Sequence, residues 1–273
     1  MNNQDINFNS GEKSVSLTKE KNTFIPGGRA VGAGAAIEWI GNAWQMVKAN
    51  PMMWILLTFI YMVIIAGLQF IPFLSFFTAL LGSVFIAGFI AAAEKQRTTG
   101  NFEIELLFHG FKNKFGSLVA VGGLVFGIYL LGVIAAVIIG GTSIYQLILA
   151  SQYADPDPAL LLGSLSSIML AILVLTIFSM VALAFSWFAP ALIIINDLKF
   201  GEAVSMSLSA VKKNLFGGFL FFLLVGILVG ISMIPFFLGL IITIPIYMAT
   251  FYTTYRSIFY TEEVKEQKSS LIS

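Results

Sequence analysis

Few side chains in this 273-residue sequence are of the types that catalyse reactions or bind metal ions. There is no cysteine, so disulfides, thiolate metal sites and cysteine nucleophiles are excluded. The single histidine, His109, is a possible general base, but a histidine on a surface helix is more commonly only solvated. Asp155 and Asp157 offer too few oxygen ligands for calcium, and Asp-Pro pairs are typical of turns. The sequence therefore predicts no catalytic residue, no metal site and no cofactor, and favours a non-enzymatic protein.

A glycine-rich segment at residues 26–36 is the only candidate for a phosphate-binding loop. No strand precedes it, and its glycine spacing fits neither nucleotide-binding fingerprint. We interpret it as a flexible lead-in to a helix. Residues 1–26 are mostly polar with few large apolar groups, which predicts a disordered cytoplasmic tail.

Composition indicates an integral membrane protein, with 58% hydrophobic residues, 11% charged residues and a mean hydropathy of +0.91. Residues 52–93 carry no charge, and as a single helix they would be about 63 Å long against a hydrocarbon core of ~30 Å. Because Pro72 lies in the middle, this run predicts two spans joined by a turn.

A second uncharged run, 215–255, has Pro235 in its middle, and the longer central unit predicts spans at 115–140 and 167–195 with a surface helix at 143–153. Pro190 and Pro245 are expected to kink their spans. The predicted fold is all-α and polytopic, with six transmembrane helices as three hairpins, each preceded by a cytoplasmic interfacial amphipathic helix. The repeat units are about 37–93, 101–196 and 200–256.

The three amphipathic helices share a spacing of four and then three residues between apolar positions, followed by basic and asparagine residues. Their apolar stripes are Ile40, Trp44 and Val47; Ile104, Phe108 and Phe111; and Val204, Leu208 and Val211. The predicted interfacial anchors are Trp39, Trp44, Phe108 and Phe111. The predicted anionic-lipid contacts are Lys48, Lys112, Lys114, Lys212 and Lys213.

All 15 lysines and arginines fall before residue 51, in 94–114, in 196–214 or after 255. Under the positive-inside rule these segments are cytoplasmic, so both termini lie inside. The predicted organisation is a membrane domain at 27–260 followed by a cytoplasmic tail at 261–273. The six spans contain no ionisable residue, which argues against an ion-coupled transporter.

Small residues four apart, Gly123 with Gly127 and Gly226 with Gly230, predict close helix packing within the bundle. The expected partners are membrane lipids and other envelope proteins, not nucleic acid. The alternative is a facilitator or transporter of a lipid or small uncharged solute, using hydroxyl groups, Gln69 and Tyr129.

Several segments carry a family resemblance: residues 28–34 (Gly-Arg-Ala-Val-Gly-Ala-Gly), the Trp39 and Trp44 helix, residues 189–197, and residues 255–259 (Tyr-Arg-Ser-Ile-Phe). Over residues 27 to 260 the chain resembles an uncharacterised family of bacterial six-helix inner-membrane proteins. It is distantly similar to the membrane domain of some glycerophosphodiester phosphodiesterases. The resemblance implies a bacterial inner-membrane location and supplies no catalytic residue.

Overall fold

The computed structural model describes residues 23–71, 74–152 and 157–261. These residues form ten α-helices and one 3-10 helix, and among them the only β-type pairing is an isolated bridge between Phe24 and Tyr260. In chain order the helices are α1 (Ala35–Ala49), α2 (Pro51–Gln69), α3 (Leu74–Thr99), the 3-10 helix (Ile104–Phe108), α4 (His109–Lys112), α5 (Phe115–Ala150), α6 (Pro158–Ser186), α7 (Ala189–Ile195), α8 (Phe200–Lys213), α9 (Leu215–Met233) and α10 (Leu240–Phe259). The predicted all-α class is confirmed.

Five helical stretches in the described residues are long and apolar enough to cross a membrane. They are Pro51–Gln69, Phe77–Thr99, Phe115–Ala150, Pro158–Ile195 and Leu215–Met233. These stretches mark the chain as a multi-pass membrane protein. The helix α10 is not among them, because polar side chains such as Thr250, Thr253, Thr254 and Arg256 occupy its second half.

Most buried side chains lie at one end of the bundle, which we call the base. There α1, the start of α2, the ends of α3 and α10, and the helices α7 and α8 meet. Trp54, Phe89, Trp187 and Tyr255 are among its large side chains, and each is 5% exposed or less. Beyond the base, α2, α5, α6 and α9 leave many large apolar side chains exposed, as membrane helices do.

The helix α2 contacts α3, α5 contacts α6, and α9 contacts α10, while α3 also packs extensively on α5 and α10 on α1. In the α5–α6 pair, a Cβ at Gly132 would meet the Phe178 side chain, and one at Gly140 would meet Ala171. Residue numbers rise along α5 as they fall along α6, so the two helices run antiparallel.

The surface helix predicted at 143–153 is wrong, because α5 continues unbroken from Phe115 to Ala150. Gly140 does not end the helix; it lets α6 approach, since a Cβ there would lie 3.0 Å from the Ala171 Cβ. With 36 residues, α5 is about 54 Å long and exceeds the ~30 Å hydrocarbon core.

Of the four glycines predicted to pack helices together, only Gly123 meets a neighbouring helix, with Leu80 Cδ2 3.9 Å from a Cβ built there. Nothing lies within 4 Å of a Cβ built at Gly127, Gly226 or Gly230. The close approach occurs elsewhere: a Cβ at Gly122 would overlap the Leu80 carbonyl. The choice of glycine depends on which helix face meets a neighbour, and spacing along one helix does not reveal that face.

Pro190 separates two helices instead of kinking one. The helix α6 ends at Ser186, and α7 begins at Ala189 with Pro190 in its first turn. The hydroxyl of Ser207 accepts from the Phe188 N–H at 3.1 Å and donates to the Ala184 carbonyl at 2.9 Å. This side chain of α8 therefore satisfies backbone groups at the break. Pro245 lies inside α10 as predicted.

The three predicted repeat units differ in the helix that precedes each pair of spans. The helices α1 and α8 have 15 and 14 residues, but the corresponding middle segment is a five-residue 3-10 helix followed by the four-residue α4. Pro235 lies between α9 and α10, as expected for a turn, whereas Pro72 is outside the described residues.

Residues 23–34 form an ordered strap across the base, so the predicted flexible lead-in is wrong. The Ile25 N–H donates to the Phe259 carbonyl at 2.8 Å, and the Arg29 N–H donates to Ile258 at 2.9 Å. Residues 23–26 of the predicted disordered tail therefore belong to the fold; residues 1–22 and 262–273 lie outside the described residues. Gly28 has a φ of +69°, and its close contact with Ile258 leaves no room for a Cβ.

Candidate functional site

Positive charge gathers at the base. Ten of the 15 lysines and arginines are described, and they lie in the strap, α1, the end of α3, the segments around α4 and α8, and the end of α10. These segments contact one another, as the Lys114–Asp197 and Arg29–Ser257 contacts illustrate. The basic end of the bundle is therefore the candidate site, and its lysines determine what it can bind.

Three of the five lysines predicted to contact lipid are exposed and unpaired among the described residues. They are Lys48, Lys112 and Lys212. Each is followed, three or four residues later, by an exposed large apolar side chain at the start of a long helix. The pairs are Lys48 with Met52 (75% exposed), Lys112 with Phe115 (44%) and Lys212 with Leu215 (64%). An ammonium above an apolar side chain matches a lipid phosphate above its acyl chains.

The other two predicted lysines have protein partners. Lys114 Nζ lies 2.6 Å from Asp197 Oδ1. Lys213 Nζ donates to the carbonyls of Gly27 and Gly28 at 3.0 and 2.8 Å. Sequence alone does not distinguish these lysines from the unpaired ones, because their partners are far away along the chain.

Trp39 is not an interfacial anchor. Its side chain is 3% exposed and packs edge-on against Phe221 of α9, and its carbonyl accepts from Thr253 Oγ1 at 2.9 Å. The strap and α10 cover this face of α1, which places Trp39 in the core. Trp44, on the other face, is 41% exposed.

The two predicted phenylalanine anchors belong to an aromatic cluster on α3. Phe108 is 40% exposed and contacts Phe85 and Phe111 edge-on or tilted. Phe111 is half-buried, and it stacks on Phe115 at 5.8 Å between ring centroids. Both side chains therefore pack on protein with one face, while Phe108 remains partly open to the surroundings.

A polar cluster that the sequence analysis missed joins α3 to α10. Arg97 Nη2 lies 2.9 Å from Glu94 Oε1, and its Nε donates to the Tyr252 hydroxyl at 2.6 Å. The Tyr252 hydroxyl also makes a short hydrogen bond to Glu94. The spacing of Glu94 and Arg97, at i and i+3 on one helix, indicates an ion pair between them. Tyr252 could not be identified in this way, because it lies 155 residues after Arg97 in the chain. The cluster fixes the ends of the two helices to each other.

A second buried contact ties α2 to α3. Gln96 is 8% exposed; its amide oxygen accepts from Trp54 Nε1 at 2.8 Å, and its Nε2 donates to the Met46 carbonyl at 2.9 Å. Both ends of the amide are therefore used, which leaves no free polar group at this point.

Neither His109 nor Asp157 has an acidic or basic side chain as a partner in the described part of the chain. The Asn113 amide lies 3.4 Å from His109 Nδ1. Asp157 caps α6, accepting from the Ala159 N–H at 2.9 Å, while Asp155 is outside the described residues. No group of three or more His, Asp or Glu within the described ranges could hold a metal ion.

The two best-formed cavities of the described part are half-open grooves of about 270 Å³ each with almost purely apolar walls. One lies between α2 and α10, lined by Ile55, Phe59, Met62, Ile241, Ile244 and Pro245 among others. The other lies between α5 and α6, around Val133, Val137, Gly140, Ile168 and Ile172. Such walls suit acyl chains and not a hydrophilic solute.

The family resemblance stays a prediction. Comparison of the chain with protein-family models, with curated proteins and with solved structures found no match.

Proposed function

We propose that this chain is a non-enzymatic, multi-pass protein of the bacterial inner membrane whose basic face contacts anionic lipid headgroups. The observation that carries the proposal is the repeated arrangement at Lys48, Lys112 and Lys212. Each ammonium is exposed and unpaired among the described residues, and each precedes an exposed apolar side chain at the start of a long helix. In an anionic surface potential each such lysine contributes about 1 kcal/mol.

Six crossings, in three hairpins, are supported by the position of the chain ends. The Thr261 N–H donates to the Thr23 carbonyl at 3.3 Å, and the Thr23 N–H donates to Thr261 Oγ1 at 3.1 Å. Residues that share hydrogen bonds lie on one side of a ~30 Å hydrocarbon layer, so the chain between them crosses an even number of times. Five stretches meet the criteria of a span, and α10 supplies the sixth crossing in this proposal.

The polar half of α10 is compatible with this role because it lies inside the base. Thr250 and Thr254 are 0% and 1% exposed, and the Thr254 hydroxyl accepts from Trp187 Nε1 at 3.1 Å. Polar groups that are satisfied within the bundle carry a smaller cost in a membrane than lipid-facing ones.

We place the base on the cytoplasmic side, with both termini inside, because that is where positive-inside topology puts lysine and arginine. In this arrangement α1, the 3-10 helix with α4, and α8 lie at the inner headgroup level. The proposal also includes a location in the bacterial inner membrane, membership of the six-helix family that the sequence resembles, and contacts with other envelope proteins. The facilitator alternative needs a polar path, whereas the two best-formed cavities of the described part are apolar.

The lipid contact can be tested with two double variants that remove the same charge from the same segments. Lys112→Gln with Lys212→Gln removes two unpaired lysines, and Lys114→Gln with Lys213→Gln removes two lysines that have protein partners. Both leave the same number of basic residues for topology. We expect the first variant to show several-fold less enrichment of phosphatidylglycerol over phosphatidylcholine in the lipid that contacts the protein within intact mixed vesicles, and the second to match the unmodified protein.

Equal enrichment of phosphatidylglycerol around the unmodified protein and both variants in these vesicles, with correct insertion, would rule out headgroup binding by these lysines. They would then be topology anchors only.

A further inference from the structure

One groove on the surface of the bundle begins at Ile55, seven residues after the unpaired Lys48. The α2–α10 groove begins at Ile55, four residues after the start of α2, and extends to Met62. Measured along α2 at 1.5 Å per residue, this wall lies about 6 to 17 Å from Pro51, within the ~15 Å of one leaflet's hydrocarbon or close to it. The opposite wall is formed by residues 240–245, the first turns of α10. The start of α2 is also where Lys48 lies, three residues before Pro51.

The α5–α6 groove is out of reach of the basic end. Its first lining residue, Val133, comes 18 residues after Phe115, which is about 27 Å along α5. A lipid with its headgroup at Lys112 has its chains in the nearer leaflet and therefore does not fill this groove. A substitution that fills the α5–α6 groove therefore serves as a control for one that fills the α2–α10 groove.

The residues above the α2–α10 groove suit an anionic headgroup. Lys48 and Trp44 are one helical turn apart on α1, and both are exposed. No carboxylate of the described residues pairs with Lys48, whereas Lys114 and Lys95 have Asp197 and Glu103. An indole beside an ammonium is typical of headgroup depth.

The groove itself suits part of a lipid. At about 270 Å³ it lies just below the range of pockets for whole small molecules, ~300–1,000 Å³, so it accommodates part of one acyl chain and not an entire lipid. Its wall exposes Phe59 (61%) and Ile241 (52%), and it also includes Pro245, which lies inside α10 and is buried.

We propose that a single anionic phospholipid binds along the α2–α10 seam, with its phosphate at Lys48 and one acyl chain in the groove beside Phe59 and Ile244. This site rests on the proposed headgroup function and narrows it: of the three junctions, the first retains a lipid and the other two exchange theirs with the bilayer.

The test measures lipid retained through purification. Protein is reconstituted in vesicles of equal parts phosphatidylcholine and phosphatidylglycerol, extracted in mild detergent, and its bound lipid is quantified by mass spectrometry. We expect retained phosphatidylglycerol to fall several-fold in Ile244→Trp, which fills the groove. Val137→Trp fills the α5–α6 groove in the same way and is expected to retain as much as the unmodified protein.

Lys48→Gln separates the two parts of the site. We expect it to lose the preference for phosphatidylglycerol over phosphatidylcholine while the groove still retains a chain. Met62→Trp is a second groove-filling variant for the case in which Ile244→Trp does not fold.

Unchanged retention in a folded groove-filling variant overturns the site. If the Lys112 and Lys212 double variant nonetheless loses phosphatidylglycerol enrichment in intact vesicles, the headgroup function stands and only the seam site is wrong. If no variant changes lipid content, both proposals are wrong.

Discussion

Lys114 and Asp197 form an ion pair of 2.6 Å, and both have a φ of +59°, in the left-handed region. The pair joins the turn between α4 and α5 to the turn between α7 and α8. Both side chains are substantially exposed, at 40% and 81%, and such a pair contributes little energy by itself, about 0 to 1 kcal/mol.

The backbone at Lys114 can be tested by comparing two substitutions. Both Lys114→Ala and Lys114→Gly remove the ion pair, but only glycine removes the cost of a left-handed residue, about 1–2 kcal/mol. We expect the glycine variant to have the higher melting temperature in detergent. An alanine variant that melts at the same temperature or higher would show that this turn is not left-handed.

Close helix packing at one glycine and open space at another predict different effects of a glycine-to-alanine substitution on stability. A Cβ at Gly122 would overlap the Leu80 carbonyl, so Gly122→Ala should lower the melting temperature by several degrees. Gly226 has nothing within 4 Å, so Gly226→Ala should leave stability unchanged or raise it by about 0.5–1 kcal/mol through the helix propensity of alanine. Thermal unfolding in one detergent compares them, and strong destabilisation by Gly226→Ala would indicate a contact on that face.

The strap depends on Asn214. Its side chain accepts from the Val31 N–H and donates to the Arg29 carbonyl, both at 2.9 Å, and it is 8% exposed. Asn214→Ala leaves buried backbone groups without partners, at a cost of about 1–3 kcal/mol. The matched control is Asn50→Ala, at the corresponding junction between α1 and α2. We expect protease cleavage within 23–34 to accelerate in the first variant only; equal rates would show that Asn214 does not hold the strap.

Replacement of the two tryptophans of α1 by alanine should change the stability of the protein by very different amounts. Trp39 is 3% exposed, and a buried tryptophan replaced by alanine costs about 3–5 kcal/mol. Trp44 is 41% exposed, so Trp44→Ala should change detergent stability far less. Scanning fluorimetry measures both, and comparable losses would mean that both faces of α1 pack on protein.

The even number of crossings can be tested by cysteine labelling, because the chain has no native cysteine. Single cysteines replace Ser10, Ser151 and Ser270. We expect an impermeant maleimide to label Ser151→Cys in intact spheroplasts, and the two terminal cysteines only after lysis. Labelling of either terminal cysteine in intact cells would contradict the proposed topology.

Much of the architecture follows from local composition. Long uncharged runs predict membrane helices because a bilayer leaves unpaired backbone groups no partners, and this holds wherever the runs pack. The clustering of lysine and arginine also follows from the sequence, as does the turn at Pro235. The stripe predicted on α1, Ile40, Trp44 and Val47, is not a single face: Val47 is buried together with Trp39, whereas Trp44 is 41% exposed. The period alone does not identify which tryptophan faces the core.

The tertiary structure decided which lysines are available, which glycines pack and whether the N-terminal segment is ordered. Lys212 and Lys213 are neighbours, yet only Lys213 meets the carbonyls of Gly27 and Gly28, more than 180 residues away in the chain. Lys112 and Lys114 differ in the same way, because the turn before α8 brings Asp197 to only one of them. Residue type and spacing describe what a side chain can bind; a partner from a distant segment determines whether that capacity is already used, and only the packing of the helices brings the partner there.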